Sequence, residues 1–108
     1  MARFFTTTLT ADGTTTVPIH NNRGQDRQIY SVYISGTFGS GTVTAFLQAD
    51  GTNNIAILDA SDAAISLTAN GMFNFEANSD DYENPIKLVL VLAGSSGASI
   101  NYSVCKNI

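Results

Sequence analysis

Apolar side chains in this chain recur at every second position far more often than at helical spacing, which is the pattern of half-buried strands. Phe5, Thr7 and Leu9 alternate with threonines. Thr15, Val17 and Ile19 share a face of the next segment, where Pro18 points to a sheet edge because proline has no N–H to give a ladder. Tyr30, Val32 and Ile34 fall on one face of a third segment, and Ile29, Ser31 and Tyr33 on the other. Val43, Ala45, Leu47 and Ala49 repeat the alternation with Phe46 out of phase, and Ile55 with Ile57 and Ile65 with Leu67 mark two short segments. Phe73, Phe75 and Ala77 alternate with Met72, Asn74 and Glu76. Residues 86–93 are apolar on both faces except at Lys87, which predicts a central strand covered on both sides. Ile100, Tyr102 and Val104 close the series. The expectation is eight or nine short strands.

The punctuation agrees. Asp12-Gly13, Asp50-Gly51 and Asn70-Gly71 are hairpin dipeptides, because glycine accepts positive φ freely and Asn or Asp nearly so. Glycine and serine at residues 35–36, 39–41 and 94–97 mark further turns. Strands spaced in this way predict a single all-β domain over residues 1–108, an antiparallel β-sandwich of about eight strands, jelly-roll or immunoglobulin-like. Residues 1–5 are set apart as an N-terminal arm able to pair with a neighbouring subunit. Ala and Leu between Ala56 and Ala69 compete as a helix, but Asp59-Ala60-Ser61-Asp62 interrupts them and leaves at most a helical turn at residues 61–64.

Composition narrows the function. Charged residues make up 13% of the 108, against roughly 25% in ordinary soluble domains. Twelve Thr, ten Ser, ten Asn and nine Gly take their place. Threonine suits a pleated surface and keeps a hydroxyl for water. Five basic against nine acidic residues argues against nucleic acid, whose affinity comes largely from Lys and Arg meeting phosphates. No apolar run approaches the ~20 residues of a membrane helix, and the first residues contain no apolar stretch of signal-peptide length.

Chemistry-bearing constellations are sparse. His20, the one histidine, lies in a loop-like stretch with no nucleophile elbow elsewhere to recruit it. Asp59 with Asp62, and Asp80, Asp81 and Glu83, form two acidic groups. Loop oxygens of this kind can ligate calcium, but the spacing is not that of an EF-hand, and a solvated loop is the expectation. Paired carboxylates for glycoside cleavage want an aromatic-walled cleft, and the chain has no Trp. Asn101-Tyr102-Ser103 matches the glycosylation acceptor pattern but falls within a strand, so the match is coincidental. Cys105 cannot form an internal disulfide and is expected as an inert or half-covered thiol on the polar side of the last strand. The expectation is no enzyme, no metal and no cofactor.

Three stretches carry a family resemblance. Gly41-Thr42-Val43-Thr44-Ala45-Phe46-Leu47-Gln48-Ala49-Asp50-Gly51 resembles a strand and turn of small β-sandwich proteins in tailed-phage virions. Residues 66–77 are similar to a later hairpin of those proteins, and residues 86–97 with the last strand to their closing hairpin. The chain departs from the commonest form at Ala45 and Phe46, and has Thr52-Asn53-Asn54 where a Trp usually follows the turn. The resemblance implies a capsid decoration (cement) protein, or a related neck or tail component. Such a protein is made in the host cytoplasm and carried on the virion exterior. It binds the major capsid protein, with a homotrimer favoured, and brings no catalytic or metal residues.

Two contact regions follow within that expectation. One is the arm, Arg3, Phe4 and Phe5. The other is the loop with His20, Arg23 and Arg27, a cationic patch on an acidic molecule. Tyr82 is a further interface candidate. The rival is a carbohydrate-binding module with Tyr30, Tyr33 and Tyr82 over a groove.

Overall fold

The computed structural model describes residues 2–19, 28–48, 52–77 and 86–107. Nine strands run through them: β1 (Ala2–Leu9), β2 (Gly13–Ile19), β3 (Gln28–Thr37), β4 (Thr42–Gln48), β5 (Ile55–Ala56), β6 (Ser66–Leu67), β7 (Gly71–Ala77), β8 (Ile86–Ala93) and β9 (Ser99–Asn107). They form two antiparallel sheets, β1-β9-β3-β7 and β2-β8-β4-β5, with β6 next to β5 along the same side of β4.

The pairing is nested. β1 lies on β9, β2 on β8, β3 on β7, and β4 on the short β5 and β6, so each early strand meets its counterpart counted from the far end. β3 with β9 and β4 with β8 then stitch this ribbon into two sheets. A double-stranded ribbon rolled into two sheets is a jelly roll. In the immunoglobulin arrangement the first two strands lie side by side in one sheet; here β1 and β2 lie in different sheets.

This topology corrects the predicted hairpins. Asp12-Gly13, Asn70-Gly71 and the glycine-serine stretch at residues 94–97 each carry the chain from one sheet to the other. Turn dipeptides fix where the chain reverses, whereas partners are chosen by which apolar faces bury together. The three crossing turns are tied into one end of the sandwich. Asp12 accepts hydrogen bonds from the Gly94 N–H (3.1 Å), the Ser95 N–H (2.9 Å) and the Ser95 hydroxyl. The Ser96 N–H donates to the Gly39 carbonyl at 2.9 Å, and the Gly36 N–H to Asn70 Oδ1 at 2.9 Å. Gly36 and Gly39 both have positive φ, and a Cβ at either would collide with the carbonyl oxygen of Ser99 or Ser96. Only glycine lets the β3–β4 turn approach the β8–β9 turn so closely.

The core follows the predicted alternation. Leu88, Leu90 and Leu92 point inward from the central strand β8, opposite Leu47, Ala45 and Val43 on β4. Tyr30, Val32 and Ile34 face them from β3, and Ile100, Tyr102 and Val104 from β9. Tyr30 stacks on Phe75 across the β3–β7 pair, with centroids 5.2 Å apart. Pro18 lies on the edge strand β2, as predicted.

Three expectations change. The segment set apart as an arm is strand β1 itself, paired with β9 from Ala2 onward. No helical turn forms at residues 61–64. Residues 57–65 instead make a small hairpin, in which the Ile65 N–H reaches the Ile57 carbonyl (2.9 Å) and the Asp59 N–H the Ala63 carbonyl (2.8 Å). β8 is central but has a second sheet on one face only; the outward Val89 is buried beside its in-sheet neighbours Phe46 and Thr16. Cys105, whose exposure the sequence leaves open, is buried opposite the buried Ser31 on β3.

Candidate functional site

Most of the contact residues chosen from sequence have side chains outside the description. His20, Arg23, Arg27, Asp80, Asp81, Tyr82 and Glu83 lie outside the described residues. Arg3 and Phe4 stand at a bulge in β1, where the register on β9 shifts between Arg3 and Phe5, and their side chains are also outside the description. Phe5 is half-buried and packs against the core. Tyr30, offered for a sugar groove, is buried at 1% exposure under the stacked ring of Phe75, so only Tyr33 of the described tyrosine candidates reaches the surface.

The acidic pair at residues 59–62 is turn chemistry. Asp59 Oδ1 accepts from the Ser61 N–H (2.8 Å) and the Ala63 N–H (3.1 Å), an Asx-type closure of the tip of the 57–65 hairpin. Asp62 takes a left-handed φ of 61° at the same tip. Among the described residues no three His, Cys, Asp or Glu side chains come together as a metal site.

A surface feature takes shape elsewhere. Among the described residues, the large apolar side chains exposed to solvent are Ile29 (43%), Tyr33 (36%), Ile55 (64%), Leu58 (52%) and Met72 (48%). Ile55, Leu58 and Met72 gather where edge strand β7 runs past residues 55–60, while Ile29 and Tyr33 lie on the neighbouring strand β3. Tyr33 stands opposite Met72, and Ile29 opposite Glu76, in the β3–β7 register. Met72 and Leu58 line one recess of about 350 Å³. Leu58 and Ile55 line a second of about 380 Å³, with Phe75 and Leu47. The two follow one another along β7, the first against Met72–Asn74 and the second against Asn74–Ala77. The charged residues lining them are Asp59 in one and Glu76 in the other, both carboxylates.

Local causes are visible for each part. β7 alternates cleanly, so Phe73, Phe75 and Ala77 enter the core while Met72, Asn74 and Glu76 face out. Asn74 Oδ1 accepts the Ser31 hydroxyl at 2.7 Å, which satisfies a buried polar side chain from a partly open position. The 57–65 hairpin anchors itself through buried Ile57 and Ile65, leaving Leu58 between them on the outside. The sequence carried a signal for this flank: apolar residues on both faces of residues 29–34, and an apolar Met72 in the polar phase of β7.

Among the described residues, three groups are perturbed. Hydrogen bonds from the Ser95 hydroxyl and N–H hold the exposed Asp12 carboxyl below its ordinary range. Burial pushes the phenols of Tyr30 and Tyr102 up. The Tyr102 hydroxyl is buried with no hydrogen-bond partner among the described residues. Tyr30 lies beneath Phe75, which lines the second recess.

Comparison with protein-family models gave no match, and comparison with curated proteins gave none either. What the fold and flank define is a class: a small jelly-roll β-sandwich with one apolar side, and no helix among the described residues that is long and apolar enough to cross a membrane.

Proposed function

We propose that this chain is a non-enzymatic structural protein of a virion, a cement protein that binds the assembled capsid shell through its apolar flank and stabilises it. The observation that carries this reading is the exposure of Ile55, Leu58 and Met72 along two recesses beside β7, with Tyr33 opposite Met72, on a charge-poor sandwich. Contiguous exposed apolar surface of this kind marks interaction sites. A low charge density leaves few groups to desolvate when a neighbour covers the surface. The phage-virion resemblance over residues 41–51, 66–77 and 86–97 supplies the partner, the major capsid protein. Jelly rolls serve capsids, lectins and cupins alike, so the fold favours none of them.

The mechanism is physical. A ligand that binds the assembled shell and not its separated subunits shifts assembly by mass action. Many copies on a symmetric lattice multiply a modest affinity, and a homotrimer at a local threefold axis would present three identical flanks. Quantitative mass spectrometry of purified virions is the test. The expected result is a copy number comparable to that of the shell subunits. A dozen or fewer copies would move the chain to the neck or tail, and its absence from virions would overturn the reading.

A further inference from the structure

Asn70-Gly71 stands at the entry to β7, and the structure gives this pair a chemistry that the turn does not use. Of the ten asparagines, Asn70 alone precedes a glycine. Its side chain is exposed. Oδ1 accepts the Gly36 N–H at 2.9 Å, and the side-chain NH2 has no partner among the described residues. The backbone does not require glycine at position 71. Its φ lies outside the left-handed region, and the nearest atom an added Cβ would meet belongs to the Leu67 side chain, at 3.2 Å. What the bare glycine provides is an approachable main-chain nitrogen. Gly71 also forms the last pair of the β3–β7 ladder, opposite Ile34, where local opening costs least.

We propose that Asn70 is a site of self-modification, at which the folded chain converts its own side-chain amide to an acid with water as the only co-reactant. The Gly71 nitrogen attacks Asn70 Cγ and a new C–N bond closes a five-membered imide. The Cγ–Nδ2 bond breaks, and the side-chain nitrogen leaves as ammonia with the proton that Gly71 gives up. Water then opens the imide at either carbonyl, giving aspartate or isoaspartate, and no electrons are transferred. Negative charge develops on Oδ1 during the attack. The Gly36 N–H already points at that atom, as a donor in an oxyanion hole does. The donor is fixed in place, because Gly36 has a φ of +129° and lies so close to the Ser99 carbonyl that no side chain fits. Aspartate at position 70 keeps this acceptor and makes the bond charge-assisted. Isoaspartate instead lengthens the main chain by one methylene where it enters β7, the strand that carries Met72. The inference makes no use of the virion reading.

The experiment keeps the full chain folded at mildly alkaline pH in water enriched in heavy oxygen, and follows it by digestion and mass spectrometry. Residue 70 should become an acid carrying the heavy oxygen, ahead of Asn53, Asn54, Asn74 and Asn101. Gly71→Ala has only the Leu67 side chain to displace, and circular dichroism checks that it folds. It should slow the conversion about tenfold, equivalent to about 1.4 kcal/mol of barrier. Asn70→Gln, whose longer side chain would have to close a larger ring, should show no conversion at that position. The same chain unfolded in urea is the reference without the Gly36 donor. Conversion at residue 70 in urea alone would overturn the proposal, since the fold would then protect the pair. So would earlier labelling of another asparagine in the folded chain, or an unchanged rate in Gly71→Ala, which would mean direct hydrolysis without the imide.

Discussion

The two flanks of this sandwich are finished in opposite ways. On the β1–β2 side, a bulge interrupts one edge strand, Pro18 blunts the other, and the turn joining them is latched through Asp12 to Gly94 and Ser95. The surface there is threonine: Thr6, Thr8, Thr14 and Thr16 all face solvent. On the β5–β7 side, β7 is a long unbroken edge, and Ile55, Leu58 and Met72 stand in water beside it. The same alternation of strands thus produces one side closed to neighbours and one side suited to them. Exposure of apolar surface on the second side is a departure from what solubility alone favours, and the proposed docking rests on it.

The contrast concerns surfaces and edges, not core packing, and the largest expected effect tests that distinction. Phe75 is buried on the open flank, stacked on Tyr30 and tilted against Phe73. Phe75→Ala should cost about 3–5 kcal/mol in chemical denaturation. Phe5→Ala, at a half-buried site on the closed flank, should cost less. A smaller loss at Phe75 than at Phe5 would mean that the open flank is loosely packed throughout, and its recesses would then be slack rather than a site.

Tyr102 lies between the flanks, in register with Thr7 on β1 and Ile34 on β3, and calibrates the scale. Its hydroxyl is buried without a partner among the described residues, so Tyr102→Phe removes a desolvation cost of about 1 kcal/mol and should leave stability equal or slightly higher. The phenol's folded pKa is raised, so the unfolded chain ionises first as pH climbs. Stability should therefore hold below about pH 10 and fall above it, and Tyr102→Phe should flatten part of that fall. An unchanged alkaline slope in the variant would place the effect on Tyr30 alone.

Asp12 tests the latch from the acid side. Its folded pKa is lowered by the Ser95 hydroxyl and N–H, so its contribution is present above the ordinary value of 3.8 and is lost as pH falls through the folded one. Asp12→Asn should unfold with a shallower pH dependence below that value. Identical acid titrations of the two proteins would show that the latch contributes nothing to closing the β1–β2 side.

Much of this was legible in the chain, and the losses have specific causes. Period two gave the strands and almost every inward residue, because a pleated strand with one buried face leaves no freedom of phase. Pairing was not legible: Asp12-Gly13 reads as a hairpin, yet its two strands enter different sheets, since a turn dipeptide reports a reversal and not a partner. The 57–65 hairpin was missed because Ala and Leu suggested a helical turn, while the decisive groups are the Asp59 carboxylate on two turn amides and the left-handed Asp62. The apolar flank was half visible in Ile29, Tyr33 and Met72. Its other half, Ile55 and Leu58, comes beside β7 only through the fold. Charge pointed instead to Arg23 and Arg27, because clustered cations are conspicuous in a chain that has so few.

The smallest expected change in stability carries the sharpest test of the contrast. Leu58→Thr and Ile55→Thr alter side chains already half or more exposed, so each should shift unfolding by no more than about 0.5 kcal/mol. Thr14→Ala and Thr16→Ala on the closed flank should be equally mild. The four variants should separate only when a partner is present: on purified shells, occupancy should drop with the substitutions at Leu58 and Ile55 and stay unchanged with those at Thr14 and Thr16. Equal occupancy of all four would dissolve the distinction between the flanks, because exposed apolar surface would then be present without anything to bind. Loss with the threonine variants instead would transfer the docking face to the β1–β2 side, where the bulge at Arg3 and Phe5 would be the place to look.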